Sequence, residues 1–419
     1  MNKVTTPSQY KERVLVSCLG ISPAILMETL WALHHQKDVF TPTRVIALTT
    51  KEGKNQALTH LFGDEDSPGA FNRFCKDFDI DSSIFTPDSI HVLKDENGSE
   101  LTDIITEEHN QCVADKITQV VKQLSDASDT AIHLSLAGGR KTMGYYAGYA
   151  LSLFGREQDR LSHVLVEEKF EHCSNFYYPT PYDCIVTNRR DSKEKHNAKD
   201  ARVSLAEIPF VRIRQNIPPV LLDGNISFNR AVEMANWDST NVTLSFKPGV
   251  QSLFVNDLEV LCDDLLNLAF LKMVLDFQFS EEKSVRAMVK EDKACSLNGR
   301  NFAESIMFFS PRPEDRALDM DDLYDHDLID ILEEGVVHGK TLNALIGKTD
   351  DEGNLRLAIT FGSFNPRISN VNKFIKENLG ERLGLALAIE KKKDPEGGIK
   401  RLELNIEPNQ YLNSIGTSA

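Results

Sequence analysis

The sequence predicts an α/β domain with a doubly wound, mainly parallel sheet, followed by an α+β domain of different texture. Three observations carry that expectation. Short apolar runs at 14–19, 45–50, 89–93, 131–134 and 161–166 alternate with segments of helical spacing, the pattern of strands joined by crossover helices. Two of those strands run through glycine-containing turns straight into helices. Near the Pro218-Pro219 pair the alternation stops, which places the expected domains at 1–218 and 219–419.

Composition narrows the class. The 419 residues are 41% apolar and 26% charged, ordinary for a folded chain with sizeable cores. No apolar run approaches the ~18 residues of a membrane span, and the first ten residues are polar, so neither a transmembrane segment nor a signal peptide is expected. Seven scattered cysteines (18, 75, 112, 173, 184, 262 and 295), never in a Cys-x-x-Cys pair, point to a reducing cytoplasm and away from a zinc site. The net charge of −16 is shared as about −7 before residue 200 and −9 after it. That balance opposes non-specific binding to nucleic acid or anionic membrane, yet suits a small anion held by a few cations.

In chain order, Val14–Leu19 reads as a buried strand, Gly20-Ile21-Ser22-Pro23 as a turn, and Ala24–His35 as a helix. Ser22 suits the N-cap and Pro23 the first helical position, where its missing N–H costs nothing. A capping Ser22 hydroxyl faces the same concavity as a ligand would, so the two roles are compatible. Val45–Thr50 is a second strand ending in the hydroxyls of Thr49 and Thr50; helices are expected around Asn55–Phe62 and Phe71–Phe78. Ser89–Leu93 is a third strand and Thr106–Leu124 a long amphipathic helix.

Ala131–Leu134 is the next strand, and Ser135-Leu136-Ala137-Gly138-Gly139-Arg140-Lys141-Thr142-Met143 follows it into a helix of small and aromatic residues ending at Gly155. Paired glycines let backbone N–H groups approach an anion, a helix N-terminus adds partial positive charge, and Arg140 and Lys141 add full charges. Neither the Walker loop nor the Gly-x-Gly-x-x-Gly dinucleotide fingerprint fits the spacing. Both glycine turns lie at strand carboxyl ends, where open α/β sheets bind ligands, so they are expected to converge.

The remaining segments read more plainly. Phe176-Tyr177-Tyr178-Pro179-Thr180-Pro181 is a strand-then-turn segment that either packs or stacks on bases. Asn188–Ala201 is a polar loop or linker, and Ile208–Arg214 a last strand or bridge. Beyond the boundary, Val242–Phe246 and Gln251–Val255 form a hairpin, and Leu258–Phe277 a buried helix. The acidic run Asp319–Glu334, with His326-Asp327, is a solvated helix face rather than a metal site. Ser369–Leu379 is a helix closed by Gly380; Leu385–Glu390 and Ile399–Ile406 are strands around the charged tip Lys391–Gly398, a winged-helix-like pattern.

Leu19-Gly20-Ile21-Ser22-Pro23 with Glu28-Thr29-Leu30, Leu48-Thr49-Thr50, and Ala137–Met143 together resemble the CARF (CRISPR-associated Rossmann fold) proteins, most closely the CARF-type ring nucleases of type III CRISPR systems. The resemblance covers about the first 215 residues, and Gly-Gly-Arg-Lys-Thr-Met is its specific part. It implies a Rossmann-like domain, a homodimer, and cleavage of the messenger cyclic tetra-adenylate to linear di-adenylate, which switches the antiviral response off. By motif position, Ser22 and Lys141 would be the catalytic pair. Gly20, Ile21, Thr49, Thr50, Gly138, Gly139, Arg140, Thr142 and Met143 would bind the ligand.

The chemistry is consistent with those residues. An RNA linkage carries its own nucleophile, the 2′-hydroxyl, so cleavage requires alignment and charge stabilisation and no cofactor or metal is expected. A second reading is a messenger-gated transcription regulator, favoured by the helix–hairpin at 369–406 with Lys391-Lys392-Lys393 and opposed by the acidic charge; DNA is therefore a less favoured partner. A third, a messenger-activated effector nuclease, lacks the Arg-x4-6-His signature: Arg286, Arg300 and Arg316 have no histidine at that spacing.

Overall fold

Apolar runs too short for helices pair side by side, because each then buries both faces beneath crossover helices. In the computed structural model, β1 (Glu12–Cys18), β2 (Arg44–Thr49), β3 (Ile90–Val92), β4 (Thr130–Ser135) and β5 (Arg160–Val166) form a sheet in the order β3-β2-β1-β4-β5. Every neighbouring pair among these is parallel. The order reverses between β1 and β4, making their carboxyl ends the switch point of the sheet. Residues 6–64, 67–214, 217, 227–279, 288–289, 296–319, 322–335, 346–349, 355–357, 361–393 and 400–412 are described. They fall into two units, Met1–Gln215 with Gly224–Glu233, and Asn216–Asp223 with Met234–Ala419. Pro218-Pro219 lies outside the described residues.

The connecting helices of the first unit are α1 (Ala24–His35), α2 (Lys51–Ala57), α3 (Ala70–Phe78), α4 (Glu107–Asp126) and α5 (Lys141–Phe154). Their apolar faces close the core: Leu26, Met27, Leu30 and Leu33 of α1 and Phe71 and Phe74 of α3 join strand residues Leu15, Val45 and Ala131. Thr106 caps α4 by accepting the His109 N–H at 3.1 Å. At the opposite end of the sheet, the buried Asp159 carboxylate accepts the Ile132 and Arg156 N–H groups and the Arg156 guanidinium.

Several expectations change in this unit. Pro23, not Ser22, occupies the cap position of α1; its carbonyl accepts the Leu26 N–H, and no side chain caps the helix. The α2 helix passes into a π turn at Leu58–Phe62, which carries the chain to the end of the expected helix. The Phe176–Tyr178 segment is not a strand. Tyr178 is buried against Phe74 and Phe78 with its hydroxyl on Asp77, so packing decides its role.

The polar stretch after Asn188 is a hairpin loop at 189–194, followed by a strand and a 3-10 turn, and not a linker. Short α6 (Glu168–Glu171) leads into β6 (Cys173–Ser174), β7 (Ile185–Asn188) and β8 (Lys195–Asn197), an antiparallel sheet over Phe170, Phe176 and Val186. Its apolar residues are too sparse to mark a period. The last strand of the large sheet is β9 (Val203–Glu207), antiparallel to β5, rather than Ile208–Arg214. Arg212 and Arg214 instead tie the latter segment to backbone carbonyls of Arg156, Asp159 and Phe154.

Helix α7 (Phe228–Ala235) brings Phe228 against Tyr146 and Tyr149 of α5. In the second unit, β10 (Leu244–Ser245) and β11 (Ser252–Val255) form the expected hairpin. The apolar run that follows divides into β12 (Leu258–Leu261), paired with β11, and α8 (Leu265–Phe279), because the strand completes that sheet. The remaining elements are β13 (Met288–Val289), α9 (Ser296–Phe308), α10 (Pro313–Arg316), α11 (Asp325–Gly335), β14 (Ile346–Thr349), β15 (Leu355–Leu357), α12 (Phe361–Ala386), β16 (Glu390–Lys393), β17 (Lys400–Glu403) and β18 (Tyr411–Leu412).

Gly380, at φ 83° and ψ 173°, ends the first helical stretch of α12 as expected; a second stretch follows it to Ala386, so Leu385 is helical and the strand begins at Glu390. The β16–β17 hairpin is present and β13 extends it. Part of its tip, 394–399, lies outside the described residues, as do Asp321 of the acidic run and Cys295. No described helix is long and apolar enough to cross a membrane.

Glu28, on the buried face of α1, provides a stability test. Burial, and then the like charge of Glu171, push its carboxyl from 4.5 up to about 7. A raised carboxyl pKa means stability that is complete below 4.5 and lost as pH climbs through about 7. Glu28→Gln should therefore leave urea stability unchanged near pH 4.5 and raise it at pH 8 by on the order of 2–3 kcal/mol.

Candidate functional site

The site is built where β1 and β4 end side by side. Gly138 has φ 121° and Gly139 φ 72°, and a Cβ on Gly138 would fall inside 3.0 Å of the Cys18 carbonyl oxygen. Glycine is required there both for backbone angle and for space. The two turns touch: a Cβ on Gly20 would stand 3.5 Å from the Gly139 nitrogen. Thr49 is fully buried, and its hydroxyl donates to the Leu19 carbonyl at 2.8 Å. It therefore positions the first turn from β2 instead of lining the opening.

A cavity of about 450 Å³ opens over this junction, lined by Leu19, Gly20, Ile21, Thr50, Glu52, Thr102, Asp103, Gly139, Arg140 and Met143. Of the residues selected from sequence, it thus gathers Gly20, Ile21, Thr50, Gly139, Arg140 and Met143. Ser22, Lys141 and Thr142 are exposed but do not line it, and Gly138 is packed beneath the turn. Thr50 caps α2 by accepting the Gly53 N–H at 3.3 Å.

The helix starts at this junction share a chemical property. The cap residue of α1 is Pro23 and that of α5 is Arg140, and neither side chain has an acceptor to offer the first-turn amides. The third amides of the two helices, Leu26 and Met143, already donate to the Pro23 and Arg140 carbonyls, and the amides before them are the ones left to meet an external anion. The Arg140 guanidinium is engaged by Asp103, with Nε donating to Oδ1 at 3.0 Å and Nη2 to Oδ2. Arg140, and then the Ile104 N–H, hold the Asp103 carboxyl below its usual range. Lys141, at the first position of α5, makes no ion pair among the described residues.

Other groups are spent on structure. Burial pushes the Cys18 thiol up to about 12, so this cysteine beside the turn carries no thiolate at neutral pH. Burial, and then Arg160, lower the His133 imidazole to about 3; its Nε2 meets the Ser162 hydroxyl at 2.7 Å. Tyr177 meets His60 at 3.2 Å. In the hairpin of the second unit, Lys391 bonds Asn365 and Lys392 pairs with Glu403. Among the described residues no group of three or more His, Cys, Asp or Glu is placed to hold a metal ion.

Sequence reading missed Glu52, Thr102 and Asp103. Asp103 follows the third strand, so the rule that selected the ends of β1, β2 and β4 also selects the segment after β3. The polar stretch between Leu93 and Thr106 concealed it, because a tight turn (Asp95 accepting the Asn97 and Ser99 N–H groups) folds the chain back.

The family model described as CRISPR-associated protein NE0113 matches residues 22–239, just over half of the chain. No curated protein matches the chain. Among solved structures, Enterococcus italicus Csm6 bound to cyclic hexa-2′-fluoro-hexa-dAMP has a TM-score of 0.22 and 14% identity, covering 37% of this chain and 33% of that one. Protein VC1899 from Vibrio cholerae has a TM-score of 0.23 and 7% identity, covering 93% of this chain and 75% of that one. This chain spans about a third of the Csm6 chain, and at such scores neither likeness carries an argument.

The glycine junction has a direct test. Gly138→Ala should cost about 1–3 kcal/mol in urea unfolding from the backbone angle alone, and more from the contact with Cys18. An unchanged midpoint would show that the turn tolerates a Cβ.

Proposed function

The chain belongs to the CRISPR-associated protein NE0113 family, and from that premise we propose that it is a metal-independent ring nuclease of type III CRISPR defence. In this reading the first unit is a CARF domain that binds cyclic tetra-adenylate and cleaves it to linear di-adenylate. The observation that carries the proposal is the junction of the two glycine turns, with Gly20 against Gly139 and two helix N-termini whose cap side chains cannot accept.

The chemistry follows from what the ring supplies. Its 2′-hydroxyl attacks the adjacent phosphorus, the 5′-oxygen leaves, and a 2′,3′-cyclic phosphate forms. The protein's task is to align these atoms in line and to stabilise the charge gathering on the phosphoryl oxygens. First-turn amides of α1 and α5 offer donors to non-bridging oxygens. Lys141 supplies the electrostatic clamp, and Ser22, exposed beside the start of α1, orients the phosphate. A two-fold homodimer would present two copies of each turn to a ring that itself has two-fold symmetry.

Purified protein incubated with cyclic tetra-adenylate in EDTA should yield linear di-adenylate, resolved by chromatography. An intact ring at excess protein would sink the enzyme reading. Lys141→Ala should reduce the single-turnover rate by about 100-fold or more, the scale of losing a principal charge stabiliser. Ser22→Ala should slow it less.

A further inference from the structure

Asp103 and Arg140 both line the cavity, and each engages the other there. We propose that Asp103 is an internal stand-in for a ligand phosphate: it holds Arg140 in a phosphate-binding pose while the site is empty and surrenders it when an anion arrives. The inference rests on the anion-binding reading of the same site. It makes Asp103 a specificity-determining residue, because a ligand must outbid a carboxylate already in place.

The geometry supports an exchange. A guanidinium presents a planar fork of N–H donors that matches a carboxylate and a phosphate equally well. Nε and Nη2, now on the two Asp103 oxygens, are therefore the donors a phosphate would take. Exposure sets the strength of the contest. The two side chains are 58% and 42% exposed, so solvent screens the pair and it shifts an equilibrium only a few-fold. A fully buried pair would be locked, since separating it would strand a charge. Asp103 is not stranded either, because the Ile104 N–H also donates to its Oδ1 at 2.8 Å.

The surrounding chain confines the change to a few residues. Leu101 is fixed by backbone hydrogen bonds to Leu93 and Lys51, and Thr106 is fixed by capping α4. Between these anchors, residues 102–105 are tied to α5 by the Asp103 side chain. Losing that tether leaves the rest of the fold in place, which is what a reversible exchange requires.

The test is binding of cyclic tetra-adenylate to the full chain, by calorimetry, in wild type, Asp103→Asn, Arg140→Ala and the double variant. Asp103→Asn should tighten binding roughly two- to five-fold, and Arg140→Ala should weaken it. In the Arg140→Ala background, Asp103→Asn should change nothing. Equal tightening in both backgrounds would make Asp103 a plain negative charge and overturn the stand-in. Weaker binding by Asp103→Asn, reproduced by Asp103→Ala with an unchanged unfolding midpoint, would overturn it by making the carboxylate a support. A wild type that binds no ring overturns the site reading and this inference together, whereas a wild type that binds and an Asp103→Asn that matches it overturns this inference alone.

Discussion

The close approach of Gly138 to the Cys18 carbonyl is the constraint on which the rest of the site depends. Parallel pairing of β1 with β4 places their carboxyl ends side by side, and a residue without a Cβ lets the second turn lie against the first. From that contact follow the adjacency of Gly20 and Gly139 and the cavity above them. Thr49 reinforces it from β2 through the Leu19 carbonyl. A side chain at 138 would have to displace backbone, which a packed sheet yields only at the cost of its ladder.

Electrostatics at the site are local, as a chain of net charge −16 requires. Arg140 is balanced by Asp103, so the full positive charge left at the start of α5 is Lys141, supported by backbone amides. Amides oriented by helices need no counter-charge and add nothing to the net balance, and they act mainly within the first turn.

Much of the first unit was legible in the sequence. Short apolar runs bounded by polar residues located β1 to β5 to within a few residues, and helix periodicity located α1, α3 and α4. Less was legible where the signal is short or shared. The β6–β8 sheet has too few apolar residues for a period, and the 258–277 run hides a strand-to-helix change because both states are buried. Capping at Ser22 was misplaced by one residue: Pro23 holds the cap position and the helix begins at Ala24.

By itself, the sequence determined that strands and helices alternate, that two strands end in glycine turns, and that Arg140 and Lys141 open a helix. These are local properties, written in spacing and in residues with special backbone freedom. Tertiary structure alone decided that the two turns belong to neighbouring strands, that Thr49 is buried while Thr50 lines the cavity, and that Asp103 reaches Arg140 across 37 positions. Pairing and burial depend on contacts between residues far apart in the chain, and no local pattern records which distant partner a side chain will meet.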